Sequence, residues 1–194
     1  LVPIKLNGVT AAVTPQSGAD LLAKTEKVFP IAGSNVTVRA AYTFNGSTQN
    51  DWQTLLYEIA QLRVSDGSSD LYVAILPGPI SGGIGGIGFI GAPAAVSIQS
   101  PGIVAHEIGH TLNLPHAPCG GPAGPDPNYP YATGSIGTWG YDIVTGAVFD
   151  PSSYKDLMSY CNPTWVSDYN FGKVLSFRTS SWGYGAAERL AAGQ

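Results

Sequence analysis

His106-Glu107-Ile108-Gly109-His110-Thr111-Leu112-Asn113-Leu114-Pro115-His116 is the stretch on which the reading of this chain turns. Just upstream, Ser100 is a good helix N-cap and Pro101 suits the first helical position, so a helix is predicted from there to about Leu112. Residues four apart on a helix share a face, which lets His106 and His110 reach one point while Glu107 stands beside it. For His116 to swing back to the same point, the helix must end between His110 and His116. Asn113 is placed to end it: after glycine, asparagine most readily takes the left-handed conformation that closes helices, and Pro115 follows. Three neutral imidazoles leave a fourth tetrahedral position open, the pattern of a catalytic zinc site. The bland alternative is an exposed helix with incidental histidines. Against it, the chain has only three histidines and all fall in this stretch.

Outward from the motif the pattern alternates strands and helices. Ser17, Asp20, Leu21, Leu22, Thr25 and Val28 read as a capped first helix stopped by Pro30. Asn35 to Phe44 alternates with β-branched residues and reads as a strand. Asn50 with Gln53 forms a capping box, and Trp52, Leu55, Leu56, Ile59 and Leu62 make one apolar stripe, a second helix. Leu71 to Leu76, ended by Pro77 and Gly78, reads as a buried strand, and Ala94 to Ile98 as another. Between them, Pro77 to Gly91 is a glycine-isoleucine stretch with almost no polar side chains. Its Gly86-x-Gly88-x-x-Gly91 spacing matches a dinucleotide fingerprint only formally, since Ala92-Pro93 and a strand follow where a helix should open. Past Cys119 the chain is loop-rich, with short strands around Trp139 to Val148 and a last helix over Val166 to Phe177.

The zinc stretch resembles the extended metzincin motif, and Met158, the single methionine, resembles that clan's Met-turn. The clan has glycine where this chain has Asn113, and the left-handed argument accommodates the change. With Met158-Ser159-Tyr160, the pattern is most similar to the serralysins, then the astacins. The calcium-binding glycine repeats of serralysins are absent, so the resemblance is to the clan and not to a subfamily. It implies that Tyr160 is a movable zinc ligand that stabilises the transition state, the alternative being a packed aromatic. It implies that Met158 is a structural floor beneath the metal, a role that is partly packing. It also implies that an edge strand over Gly86, Ile87, Gly88 and Phe89 pairs with substrate backbone, the alternative being a surface loop.

The zinc would lower the pKa of its bound water, and Glu107 would act as general base, passing the proton to the leaving nitrogen. Cys119 lies three residues past His116 and Cys161 three past Met158. A disulfide between them is favoured in an oxidising compartment, against two free thiols or a cysteine-using zinc site. Asp126, Asp142 and Asp150 in the loop-rich region are calcium candidates, set against solvated or turn-capping aspartates. Asn35-Val36-Thr37 and Asn45-Gly46-Ser47 fit the glycosylation acceptor pattern.

Composition bounds the rest. At 194 residues the chain suits one domain with a core of its own. Only 11% of residues are charged, and glycine and proline number 25 and 15, a loop-rich balance. A net charge of -4 gives no basic footprint for nucleic acid, and no run of about 18 apolar residues is present to span a membrane. The chain opens on Leu1 without a signal-peptide pattern and reads as a mature or trimmed domain. The expected fold is therefore α+β and metzincin-like, a single catalytic domain over 1–194. A twisted sheet of four or five strands, two helices packed on it and the zinc helix form an N-terminal lobe over about 1–114. A cleft separates it from a smaller irregular C-terminal lobe over about 115–194. The expected activity is that of a secreted, monomeric zinc endopeptidase acting on extended protein segments. The alternatives are a narrow zinc hydrolase acting on a glycoprotein or non-protein amide, and a non-catalytic zinc-binding module.

Overall fold

The sheet is built around the chain's first residues, for which the sequence pattern suggested no element. The computed structural model describes residues 1–46, 51–78 and 85–180. Strand β1 (Val2–Leu6) pairs antiparallel with the short β2 (Val9–Thr10) across a turn at Asn7 and Gly8, both at positive φ. It runs parallel to β3 (Tyr42–Phe44) and to β4 (Tyr72–Leu76); β4 in turn runs parallel to β6 (Ala94–Ile98), and β5 (Gly86–Gly88) closes the edge antiparallel to β6. The order is β2-β1-β4-β6-β5 with β3 on β1, six strands among the described residues where four or five were expected. The result is an α+β arrangement: a mixed sheet with four helices, α1 (Pro15–Val28), α2 (Asp51–Ser65), α3 (Pro101–Thr111) and α4 (Asp168–Thr179).

By internal contacts the chain divides into two units, Leu1–Thr25 with Gly33–Thr111, and Glu26–Ala32 with residues from Leu112 onward. The first holds the six-stranded sheet. Alternation along the strands decides what lies on each face. Val2, Ile4, Ala74, Leu76, Ala94 and Val96 point to one side and close a core with Trp52, Leu55, Leu56 and Ile59 of α2, the stripe read from the sequence. On the other side, Gly86 and Gly88 pair with Ser97 and Ala95 and press against α3. Helices α2 and α3 therefore cover opposite faces, and Val73, Ile75, Ala95 and Ser97 are as buried as the α2 side.

Two expectations are corrected in this unit. The expected strand over Asn35 to Phe44 shrinks to Tyr42–Phe44. Upstream of it the main-chain partner found is Leu1: its amino group donates to the Thr37 carbonyl and its carbonyl accepts from the Arg39 amide. Val36 packs instead over Gly18 of α1, where a Cβ would lie 2.9 Å from its methyl group. The cap of α1 is Thr14 rather than Ser17. Pro15 takes the first helical position, the Thr14 hydroxyl accepts from the Ser17 amide, and the Ser17 hydroxyl accepts from the Thr14 amide. Asn50, Ser47 and residues 79–84 of the glycine-isoleucine stretch lie outside the described residues.

The second unit has little regular structure. Strands β7 (Gly140–Tyr141) and β8 (Val148–Phe149) form a hairpin within the expected 139–148 region. Strands β9 (Lys155–Asp156) and β10 (Thr164–Trp165) pair in parallel, and α4 starts at an N-cap, Ser167, whose hydroxyl accepts from the Asn170 amide. Its core is formed by Leu114, Ala117, Ile136, Met158, Trp165 and Val174. Cys119 and Cys161 are joined in a disulfide.

Candidate metal centre

Helix α3 begins where its sequence says it should, with the Ser100 carbonyl accepting from the Val104 amide and Pro101 at the first position. One turn separates His106 from His110, and their rings meet edge to face with centroids 5.0 Å apart. The helix stops at Thr111, whose hydroxyl turns back onto the Ile108 carbonyl. Asn113 then takes φ +70°, the left-handed conformation expected of it. The chain reverses, and ring nitrogens of His106, His110 and His116 come within 4.8 Å of one another. Among the described residues this is the one group of three metal-ligating side chains so gathered.

The His116 ring is oriented by a partner that the sequence could not reveal. Its Nδ1 lies 2.7 Å from the Ala123 carbonyl oxygen. A carbonyl only accepts, so Nδ1 carries the proton and Nε2 keeps its lone pair for a metal. Tyr160 stands at that same nitrogen, with its hydroxyl 3.3 Å from Nε2 and its ring edge to face with the imidazole. The donor set passes a chemical test for a divalent metal: three imidazoles, no thiolate, and fewer protein ligands than the ion's coordination number.

Glu107 sits on α3 between the two helix histidines and is buried, with burial pushing its carboxyl up to about 8. What covers it is β5. A Cβ added at Gly86 would lie 2.5 Å from Glu107 Cγ, and one at Gly88 would lie 2.6 Å from the Glu107 carbonyl oxygen. The glycines of the strange stretch are therefore spacers that let a strand edge lie directly on the motif helix. That edge is the terminal strand of the sheet among the described residues, with Ile87 turned to the α2 side.

Met158 is fully buried, and its carbonyl accepts from the Ala117 amide beside His116. The Tyr160 amide donates to the Cys119 carbonyl, and the disulfide joins the same two segments one residue further on. The three candidate calcium aspartates occupy separate turns, each with donors of its own. Asp126 accepts from the Lys173 ammonium, the Asn128 amide and the Tyr169 hydroxyl. Asp142 accepts from Lys27, the Val144 amide and Thr145, and Asp150 from the Ser152 amide. Each carboxylate caps its own turn, and at Asp126 and Asp142 it also pairs with a lysine.

Asp156 went unnoticed in the sequence, yet it organises the segment that carries Met158 and Tyr160. Its carboxylate is wholly buried and accepts from the Met158 amide, the Ser167 amide and the Asn170 side chain. Burial pushes its pKa up, against the pull of those hydrogen bonds. Only its place two residues before the single methionine hinted at a role.

A model of the peptidase M66 family matches residues 35–188, and the chain belongs to that family of zinc metallopeptidases. It is 44% identical over 77 residues to a dictomallein-like protein of Hahella chejuensis, covering 38% of this chain and 12% of that protein. It is 32% identical over 93 residues to dictomallein-1 of Dictyostelium discoideum, covering 46% of this chain and 14% of that protein. The aligned part is thus about an eighth of the length of these relatives.

Proposed function

We propose that this M66 peptidase is a secreted zinc endopeptidase of the metzincin type that cuts internal bonds in extended protein segments. The observation that carries the reading is the trio of imidazole nitrogens within 4.8 Å, supplied by a helix that also buries Glu107 and by the reversal at Asn113. His106, His110 and His116 would hold the ion, His116 through Nε2 because its Nδ1 is committed to Ala123. When bound, zinc polarises a carbonyl as a Lewis acid and lowers the pKa of water toward about 7. Glu107 takes the proton of the attacking water on its carboxylate and delivers it to the leaving nitrogen. Tyr160 donates its hydroxyl to the carbonyl oxygen as negative charge develops there, a role supported by its place at His116 Nε2. Met158 acts through packing. The Gly86–Phe89 edge offers main-chain groups to an extended substrate, as a strand added to the sheet. Secretion is supported by the disulfide, since such bonds persist in oxidising compartments.

The test is hydrolysis of an unfolded, fluorescently labelled protein by wild type and Glu107→Ala at matched zinc content. Wild type should cut, and the variant should bind one zinc yet lose about 10²–10⁴ in rate, the contribution of a general acid–base group. Chelation should abolish cutting and zinc should restore it. A zinc-loaded wild type that cuts no protein would sink the reading, and so would a variant as active as wild type.

A further inference from the structure

We infer that Asp156 is a positioning residue, holding the turn from Met158 to Cys161 so that the Tyr160 hydroxyl stays at His116 Nε2; this rests on the reading of Tyr160 given above. The turn hangs on this one residue from inside. Asp156 Oδ1 accepts from the Met158 amide at 2.7 Å. Its main-chain carbonyl accepts from the Ser159 amide and from the Ser159 hydroxyl, and that hydroxyl accepts from the Cys161 amide. From outside, the same turn is fastened to the segment after His116. The Ala117 amide donates to the Met158 carbonyl, the Tyr160 amide to the Cys119 carbonyl, and the disulfide follows.

The other side of the carboxylate faces the start of α4. Oδ2 accepts from the Ser167 amide at 2.7 Å, and Oδ1 also accepts from Asn170 Nδ2 at 2.9 Å. The Asn170 amide is oriented by this contact, since among the described residues its own buried oxygen has no hydrogen-bond partner. Three N–H donors thus converge on two acceptor oxygens, the Ser167 and Tyr129 hydroxyls stand against the same carboxylate, and among the described residues Asp156 forms no ion pair. A carboxylate suits this arrangement and an amide does not. Asparagine at 156 keeps the shape but offers one acceptor oxygen, and turns an NH2 group toward an N–H donor. The turn would then tilt away from Ser167 or from Met158, carrying Tyr160 with it. A displacement near 1 Å of a group that must meet a developing charge costs up to about 10²-fold in rate.

The variants are Asp156→Asn, Tyr160→Phe and their combination, with Asn170→Ala as a milder variant that removes one donor and keeps the carboxylate. In the metal-free protein, the nuclear Overhauser contact between the Tyr160 and His116 rings, whose centroids lie 5.1 Å apart, should weaken in Asp156→Asn. In the zinc-loaded protein, kcat should fall about tenfold to a hundredfold with KM nearly unchanged. The double variant should be no slower than Tyr160→Phe alone, because the carboxylate acts through that hydroxyl. An unchanged ring contact, or losses that multiply in the double variant, would overturn the inference. If Asp156→Asn does not fold, Asn170→Ala is measured in its place, by the same ring contact and the same pairing with Tyr160→Phe. If zinc-loaded wild type cuts nothing, the peptidase reading fails, and the ring contact alone then decides whether Asp156 positions Tyr160.

Discussion

Glycines 86 and 88 show how much a missing side chain can carry. Their backbone lies so close to α3 that a Cβ at Gly88 would meet the Glu107 carbonyl oxygen at 2.6 Å, and a helix carbonyl is not free to move aside. Gly88→Ala should therefore lower stability by about 1–3 kcal/mol, the usual cost of overpacking, read as a drop in Tm. Gly102→Ala is the control. Nothing lies within 4 Å of a Cβ there, and alanine favours the helix, so Tm should hold or rise slightly. At this scale the sequence was legible where a residue's own chemistry makes the contact. The three histidines, Glu107 and Asn113 announced themselves by type and spacing. The Ala123 carbonyl that orients His116 did not, because a main-chain acceptor leaves no mark in the sequence. Asp156 did not either, because an aspartate that accepts from distant amides is spelled the same as one in water.

Helices α1, α2 and α3 were readable because each writes its own apolar face or breaker, although the cap of α1 fell at Thr14 and not at Ser17. Proline at the first position, a capping hydroxyl and an apolar stripe are local signals. The strands depended on partners. Residues 35–41 alternate well enough for a strand, yet Thr37 and Arg39 bond to the main chain of Leu1 and no ladder forms. The central β1 carried too short a pattern to be noticed before its partners β3 and β4 were known. The end of α3 allows a direct test. Asn113 sits at φ +70°, where asparagine is tolerated and glycine is at ease. Asn113→Gly should keep stability and zinc affinity close to wild type. Asn113→Ala should cost about 1 kcal/mol, because an L side chain without a local hydrogen bond is strained there. Equal melting temperatures for the two variants would show that the reversal does not depend on the left-handed residue.

Across the whole molecule, the mixture of helices and sheet followed from the sequence pattern, whereas in the second unit only the hairpin, the last helix and the disulfide did. Its strands of two residues and its turns are held by side chains far apart in sequence, such as Lys27 with Asp142 and Lys173 with Asp126. These contacts give the unit a pH response. The Val144 amide first, then Thr145 and Lys27, outweigh burial and bring Asp142 down to about 2. At Asp126 burial pushes upward, but hydrogen bonds from Lys173, Asn128 and Tyr169 prevail and its pKa is lowered. A carboxyl with a depressed folded pKa contributes stability that is complete above the ordinary carboxylate range. That contribution is lost as pH falls from about 4 through 2. Thermal unfolding followed from pH 6 to pH 2 should show Tm falling through that window, and less steeply in Asp142→Asn. A variant that follows wild type throughout would remove Asp142 from the account.

Among the described residues the two units each bury one indole, Trp52 of α2 and Trp165 of β10, while Trp139 beside the hairpin is largely open to water. The chain has four tryptophans, so an optical reading unit by unit starts from a background in which Trp139 and Trp182 are phenylalanine. On it, Trp52→Phe or Trp165→Phe leaves one indole, and the red shift of emission on denaturation would follow one unit at a time. A single shared midpoint would mean that the chain melts as one cooperative body, and two midpoints would let the stability of the sheet and of the disulfide-bonded unit be measured separately.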